Sequence, residues 1–181
     1  SVDPRYCDLA NSQGSPTSGH PFGFDRQGCD IYSRVIYGAR ASVSVGVLST
    51  IAVVILGGVL GSLAGYIGGW LDSLISRVTD IFFAIPLILA AIVIMQLFKD
   101  NRNVAMVVVV LAIFGWVQIA RITRGAVMSA KNEEYVTAAR ALGTSKARIL
   151  ISHILPNAAA PMIVYATVAL GTFIVTEATL S

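Results

Sequence analysis

The sequence predicts an all-α, polytopic membrane protein, and three observations carry that expectation. Of its 181 residues, 55% are hydrophobic and only 13% are charged, more apolar surface than a soluble domain of this length could hide in its own interior. Four runs contain no Asp, Glu, Lys or Arg: Ala41 to Leu71, Ile81 to Phe98, Asn103 to Ala120 and Ile149 to Thr176. Each is long enough to cross roughly 30 Å of hydrocarbon as a helix. Between the last two spans lies a polar island, Arg121 to Asn157, that keeps helical signals of its own.

Residues 1 to about 20 are rich in Ser, Gly, Asn, Asp and Pro, and the run Ser12 to Gly19 is a plain loop signal. From Ile31 to Arg40, apolar Ile31, Val35 and Ile36 with Tyr32 and Tyr37 lie among Ser33, Arg34 and Arg40, which suits an interfacial helix leading into the first span. Residues 1–40 therefore read as an external segment and residues 41–181 as a transmembrane domain. Gly57, Gly61 and Gly65 recur at four-residue intervals in the first span, so one face is bare backbone on which another helix can pack closely. The sequence does not identify that partner. Gly68-Gly69 ends the helix, and Trp70 to Asp80 forms an amphipathic stretch at the inner interface. Pro86 bends the second span or falls in its first turn. The last span is expected to begin crossing near Ala158, with Pro156 in its first turn. No internal repeat is present.

The island reads as a helix-turn-helix outside the lipid. Asn132 can cap a helix whose first turn carries Glu133 and Glu134, carboxylates that complement the dipole there. Tyr135, Ala138, Ala139 and Leu142 fall at i, i+3, i+4 and i+7, one largely apolar stripe. Gly143 stands where a left-handed stop is wanted, and Thr144 or Ser145 can cap a second helix running toward Leu155 and Pro156.

Basic residues give the orientation. The island holds Arg121, Arg124, Lys131, Arg140, Lys146 and Arg148, whereas the loop on the opposite side holds only Lys99 and Arg102. Short loops rich in Lys and Arg stay in the cytoplasm. The island is therefore expected inside, as is the loop with Asp72, Arg77 and Asp80, while residues 1–40 and Ser181 are expected outside. The net charge of +3 is this bias and calls for no nucleic acid. The chain starts with Ser1, without a basic start and apolar stretch to export it. It also stops after an outward crossing, so it reads as an internal piece of a longer subunit with a further span at each end, six in all.

Several chemistries lack their residues. The four spans hold no ionisable residue of the kind that proton-coupled or voltage-driven carriers place there, which favours a pathway powered from elsewhere. Gly143-Thr144-Ser145-Lys146 lacks the upstream glycine and preceding strand of a phosphate loop. His20 and His153 lie on opposite sides, so no shared metal or proton-transfer site is expected. Zinc on His20, Cys7 and Cys29 would lack a fourth ligand. His20 reads as a loop residue and His153 as an ordinary interfacial one. No Gly-x-Ser-x-Gly elbow occurs. Two rivals remain to be tested: a self-powered secondary transporter or channel subunit, and a membrane enzyme that uses His153 or a span serine.

Glu134-Tyr135-Val136-Thr137-Ala138-Ala139-Arg140-Ala141-Leu142-Gly143, followed by Ile154-Leu155-Pro156-Asn157, resembles the EAA loop of the membrane subunits of binding-protein-dependent ABC importers. His20-Pro21-Phe22-Gly23-Phe24-Asp25, then Gly28, Asp30, Ser33-Arg34, Tyr37-Gly38-Ala39-Arg40 and Ser42, is similar to the outer segment of the C-type permease of dipeptide and oligopeptide importers. Gly65 to Asp72 and Asp80 to Pro86 are similar to the next loop of that subunit. The resemblance covers about residues 20 to 181 in order.

It implies the type I ABC importer transmembrane fold in a multi-pass subunit of the bacterial cytoplasmic membrane, with no catalysis of its own. The implied partners are a homologous second permease, two cytoplasmic ATPases that bind ATP and Mg, and an external peptide-binding protein. The island, residues 121–157, would be the coupling loop. Ala138, Ala139, Leu142 and Gly143 would form its contact and hinge, Glu134 and Arg140 its polar neighbours, and Pro156 the start of a rigid span. Substrate-contacting residues are not assigned. The sequence departs from the pattern in three places: Thr137 replaces the leading Glu of the motif, Cys29 a usual Arg and Phe24 a usual Thr. Cys7 is the other cysteine, and both lie on the expected oxidising side. A Cys7 to Cys29 disulfide follows as an expectation, contributing on the order of 3 kcal/mol, with two free thiols as the alternative.

Overall fold

The computed structural model describes residues 7–98 and 103–180. Its chain divides into two compact units, residues 1–44 and 45–181, taken here in turn. Lys99 and Arg102, used above to orient the chain, lie outside the described residues.

The amino-terminal unit is a loop tied by one covalent bond and three carboxylates. A disulfide joins Cys7 to Cys29, and isolated backbone bridges pair Thr17 with His20 and Phe24 with Asp30. Asp8 caps a short 3-10 turn, Leu9–Asn11, by accepting the Ala10 N–H at 2.9 Å. Asp25 accepts the N–H groups of Gln27 at 2.8 Å and Cys29 at 3.0 Å, and it pairs with the Arg34 guanidinium. Asp30 begins helix α1 (Ile31–Ile67) by accepting the Ser33 N–H at 3.1 Å and the Ser33 hydroxyl at 2.6 Å, an N-cap in the usual sense. His20 Nδ1 stands 3.2 Å from Asp30 Oδ1, a close polar contact without hydrogen-bond geometry. The loop histidine of the sequence thus packs on the cap. The Cys29 amide and then the Arg34 side chain hold the Asp25 carboxyl below its ordinary value, and the Ser33 hydroxyl does the same for Asp30. Residues 31–40, expected as an interfacial helix, are the opening of α1.

The carboxyl-terminal unit contains the rest of α1, then α2 (Gly69–Phe83), α3 (Leu87–Leu97), α4 (Val104–Ala130), α5 (Glu134–Ala141), α6 (Lys146–Ile149) and α7 (Leu155–Leu180), with a π-helical turn at Leu150–Ile154 joining the last two. Helix α4 is central. Leu111, Trp116, Ile119 and Ala120 of α4 are buried with Val45 and Val53 of α1 and with Ala169 and Phe173 of α7, while Val78, Phe82 and Leu87 of α2 and α3 pack against this core.

The glycine face of α1 meets α4. A Cβ added at Gly57 would stand 2.6 Å from the Trp116 carbonyl oxygen, and one at Gly65 would stand 2.7 Å from that of Arg124. Gly61, between them, would collide with the Ala120 carbonyl. Trp116, Ala120 and Arg124 are themselves spaced by four, so a ridge of α4 lies in the furrow of α1. This is the partner that the sequence left unnamed.

The spans depart from expectation chiefly at one bend. Among the described residues, three helices are long and apolar enough to cross a membrane, Ile31–Ile67, Val104–Ala130 and the joined stretch Lys146–Leu180, and the bent pair α2–α3 makes a fourth if it is one broken span. The expected second span, Ile81 to Phe98, is not one rod, because α2 and α3 meet at a bend of 74°. Pro86 precedes α3 as its N-cap, since it cannot donate to the preceding turn and its ring crowds it. The first helix stops at Ile67, as the Gly68-Gly69 pair leads one to expect, and Gly68 with φ of 72° lets α2 begin at Gly69. Finally, the helix of the last span extends back beyond Ala158 to Lys146. The helix continues from α6, and Pro156 follows the π turn, where the Leu155 N–H reaches the Leu150 carbonyl five residues back. Pro156 has no N–H for the Ser152 carbonyl, and a wide turn lets the helix absorb that loss.

Two outcomes follow. Gly61→Val should lower the thermal midpoint of the purified protein, at a cost of about 1–3 kcal/mol from overpacking. Gly125→Ala, where a Cβ meets nothing within 4 Å, should leave it unchanged or raised; equal midpoints for both would contradict the α1–α4 contact. Because Asp25 and Asp30 are held below their unfolded values, their contribution is complete above pH of about 4 and is lost as acid carries the pH down through the folded values. Hydrogen exchange across residues 8–37 should be slow and flat at neutral pH and accelerate only below that range, after correction for intrinsic rates; protection already lost between pH of about 7 and 5 would refute the assignment.

Candidate functional site

The island does not begin where charge enters the sequence. Helix α4 runs on through Arg121 and Arg124 to Ala130, because both side chains find partners on α2. Arg124 forms a two-pronged pair with Asp72, its Nη2 donating to Oδ2 at 2.7 Å and its Nε to Oδ1. Arg121 Nη2 donates to Asp80 Oδ1 at 2.7 Å, and its guanidinium lies 4.4 Å from the Phe83 ring centre, a cation–π contact. Lys131 Nζ donates to the Gly65 carbonyl at 2.7 Å, and the Tyr66 hydroxyl donates to the Lys146 carbonyl at 3.0 Å. Three of the cations that gave the orientation therefore also fasten the base of the hairpin to α1 and α2.

The turn into α5 differs from the expected cap. Glu133 occupies the N-cap without a side-chain bond, and Asn132 turns back, its Nδ2 donating to the Met128 carbonyl at 3.0 Å at the end of α4. Ser145 holds the N-cap position of α6, again without a side-chain bond, and Thr144 does not cap it. At the other end of α5 the stop is well defined. Gly143 has φ of 77°, its N–H bonds to the Arg140 carbonyl at 3.0 Å, and the Thr144 N–H reaches the Ala139 carbonyl at 3.1 Å. This pair of bonds is a Schellman motif, which a glycine in the left-handed region completes at no steric cost.

The expected stripe is divided. Val136 and Ala139 are the buried positions of α5, packed with Val127 and Ala130 of α4, Ile149 of α6, and Ile154 and Ala158 beyond it. Tyr135, Ala138 and Leu142 point outward instead, and Leu142 at the apex is 85% exposed. Thus Ala139 belongs to the packed side, whereas Glu134, Ala138, Arg140, Leu142 and Gly143 share the exposed side. Pro156, also exposed, is the second residue of α7. A cleft of about 520 Å³ between Tyr66, Arg140, Thr144 and Lys146 adjoins this surface.

Several residues of the site were not found from sequence. Val136 stands one position from Tyr135 and has the same helical spacing to Ala139 as Tyr135 has to Ala138, so periodicity alone could not choose the inward face. The Asp72–Arg124 and Asp80–Arg121 pairs were visible as charges, but no spacing rule links residues so far apart. Among the described residues, no group of three or more His, Cys, Asp or Glu side chains could hold a metal ion. The arrangement is a braced hairpin with a protruding apolar tip.

The pattern of binding-protein-dependent transport system inner membrane components matches residues 57–181. A dipeptide transport system permease protein of Alkalihalophilus pseudofirmus is 42% identical over 174 residues, which cover 94% of this chain and 56% of the relative. An oligopeptide transport system permease protein of Bacillus subtilis is 37% identical over 99% of this chain and 58% of its own. A glutathione transport system permease protein of Pectobacterium atrosepticum is 38% identical over 98% of this chain and 58% of its own. The chain thus spans a little over half the length of these relatives. It belongs to the family of binding-protein-dependent transport system inner membrane components.

Proposed function

We propose that this chain is the membrane-spanning permease subunit of an ATP-driven importer of dipeptides or oligopeptides, and that the α5–α6 hairpin couples it to a cytoplasmic ATPase. The partners would be a homologous second permease, two ATPase subunits that carry ATP and Mg, and a binding protein on the outer side. The chain breaks no bond itself. The peptide substrate class rests on the similarity to dipeptide and oligopeptide transport permeases.

The observation that carries the coupling role is the division of α5 into two faces. Its inner face is braced by Val136 and Ala139, and its base is tied by Lys131 and Tyr66 to α1. The outer face ends in Leu142, which nothing in this chain covers at 85% exposure. An apolar knob on a fixed mount is what a groove in a second protein can grip. From the knob the chain turns through Gly143 to Ser145 into α6, and from there α6 and the π turn run into α7 without an intervening loop, so a push on the hairpin is passed to a spanning helix. In the membrane unit this helix packs on α4 through Ala169 and Phe173.

Leu142→Glu in the assembled transporter should weaken co-purification of the ATPase by roughly thirtyfold, the equivalent of about 2 kcal/mol for one buried leucine, and should abolish peptide uptake. Membrane insertion should be unchanged, because the side chain touches no core residue. Gly143→Val should also uncouple uptake, since φ of 77° costs a β-branched residue about 1–3 kcal/mol and alters the stop. Retention of both ATPase association and uptake in the two variants would overturn the docking role.

A further inference from the structure

The bend between α2 and α3 leaves a cleft with two polar side chains in its lining that no described residue satisfies. It has a volume of about 260 Å³ and is walled by the aromatic rings of Phe82, Phe83, Phe114 and Phe173, with Pro86 at the break. Into this apolar surround come Gln118, close to the middle of α4, and Tyr165, from the middle of α7. Among the described residues, neither the Gln118 carboxamide nor the Tyr165 hydroxyl has a hydrogen-bond partner in the chain.

We infer that this cleft is a solute-facing part of the translocation pathway, where the Gln118 carboxamide and the Tyr165 hydroxyl hydrogen-bond an amide-bearing solute. The inference rests on the permease function proposed above and extends it to particular residues. Two independent features favour it over a lipid-facing surface. Polar side chains at this depth face a bundle interior or a water-filled cavity, because hydrocarbon offers them no partner. Backbone that is not helical obeys the same rule, and here residues 84–86 are non-helical and exposed, with no side-chain cap on the first turn of α3.

Shape decides between a solute and a second subunit. A broad subunit contact needs a continuous face, whereas the 74° bend withdraws the chain and leaves a hollow. Hollows of a few hundred cubic ångströms, mostly apolar with a few convergent polar groups, hold small molecules. The chemistry suits a peptide bond. A carboxamide both donates and accepts, as the peptide unit does, and a phenol can do either. The rings would cover apolar side chains while placing no fixed charge in the path, so the cleft would recognise backbone rather than sequence.

The test uses the complete transporter in membrane vesicles, with Gln118→Cys in this chain. Both native cysteines of this chain are held in the Cys7–Cys29 disulfide, so a charged, impermeant thiol reagent reports the new position. Gln118→Cys should react at least roughly tenfold faster than Ile113→Cys, on an exposed apolar face of the same helix, and trialanine should slow the reaction. Gln118→Leu should reduce trialanine uptake about tenfold, the loss of one hydrogen bond, with ATPase association retained. Gln118→Cys that is inert in every nucleotide state, or that cross-links to the second permease instead, would overturn the inference. Trialanine uptake by the unmodified complex tests the permease function separately: if uptake occurs yet leaves the Gln118→Cys reaction unchanged, the cleft assignment fails and the function stands.

Discussion

Close backbone approach of α1 to α4 is the constraint on which the carboxyl-terminal unit depends. In lipid, apolar side chains gain little by leaving hydrocarbon for one another, so helices associate through fitted surfaces and polar contacts. Gly57, Gly61 and Gly65 supply the fit against the carbonyls of Trp116, Ala120 and Arg124. The same ladder then places polar groups. With Gly65 lodged against α4, its carbonyl can take the Lys131 ammonium, and the next residue, Tyr66, can reach the backbone of Lys146. A side chain on the ladder would push away both the core and the mount of the hairpin.

The paired charges on α2 act at a second level. Arg121 and Arg124 would be costly if α4 carried them unpaired at the edge of the hydrocarbon, and Asp80 and Asp72 answer them one helix away. The Asp72–Arg124 pair is two-pronged, a geometry that fixes orientation as well as distance. These side chains are partly exposed, so the contribution of each to stability is modest. Their stronger effect is on register, because α2 can dock on α4 in one rotation only. That rotation carries Phe82 and Phe83 to the wall of the cleft near Gln118.

Much of this was legible in the sequence, and the parts that were not share a physical cause. Runs without charge located α1, α4 and α7, since lipid selects on composition. The glycine spacing located a packing face, and Gly143 located the end of α5, because both are local backbone requirements. Composition says nothing about direction, so the apolar run from Ile81 to Phe98 concealed a 74° bend. Asn132 could serve as a cap for α5 or as a terminator for α4, and local chemistry favours neither. The choice of Val136 over Tyr135 as an inward residue depended on Ile149, Ile154 and Ala158, which approach only after the hairpin has folded. The π turn was invisible because it answers Pro156 through a register change rather than a residue signal.

That turn also bears on how a docked hairpin could move anything. A loop between α6 and α7 would absorb displacement, whereas an uninterrupted α-helix would transmit it rigidly to the whole span. A wide turn followed by Pro156 and Pro161 does neither, since each proline removes one backbone bond and leaves the helix able to bend at a chosen level. On the hairpin side of the turn, Ile149 and Ile154 pack with Val136 and Ala139 of α5. Beyond it, Ala169 and Phe173 pack on α4, and Phe173 lies in the wall of the cleft beside Tyr165. On the proposed function, motion at Leu142 would thus arrive at the cleft as a tilt of α7 against a fixed α1–α4 pair. On that proposal the side of the cleft that opens would be set by contacts already packed in the chain, and the partner would need only to supply the push.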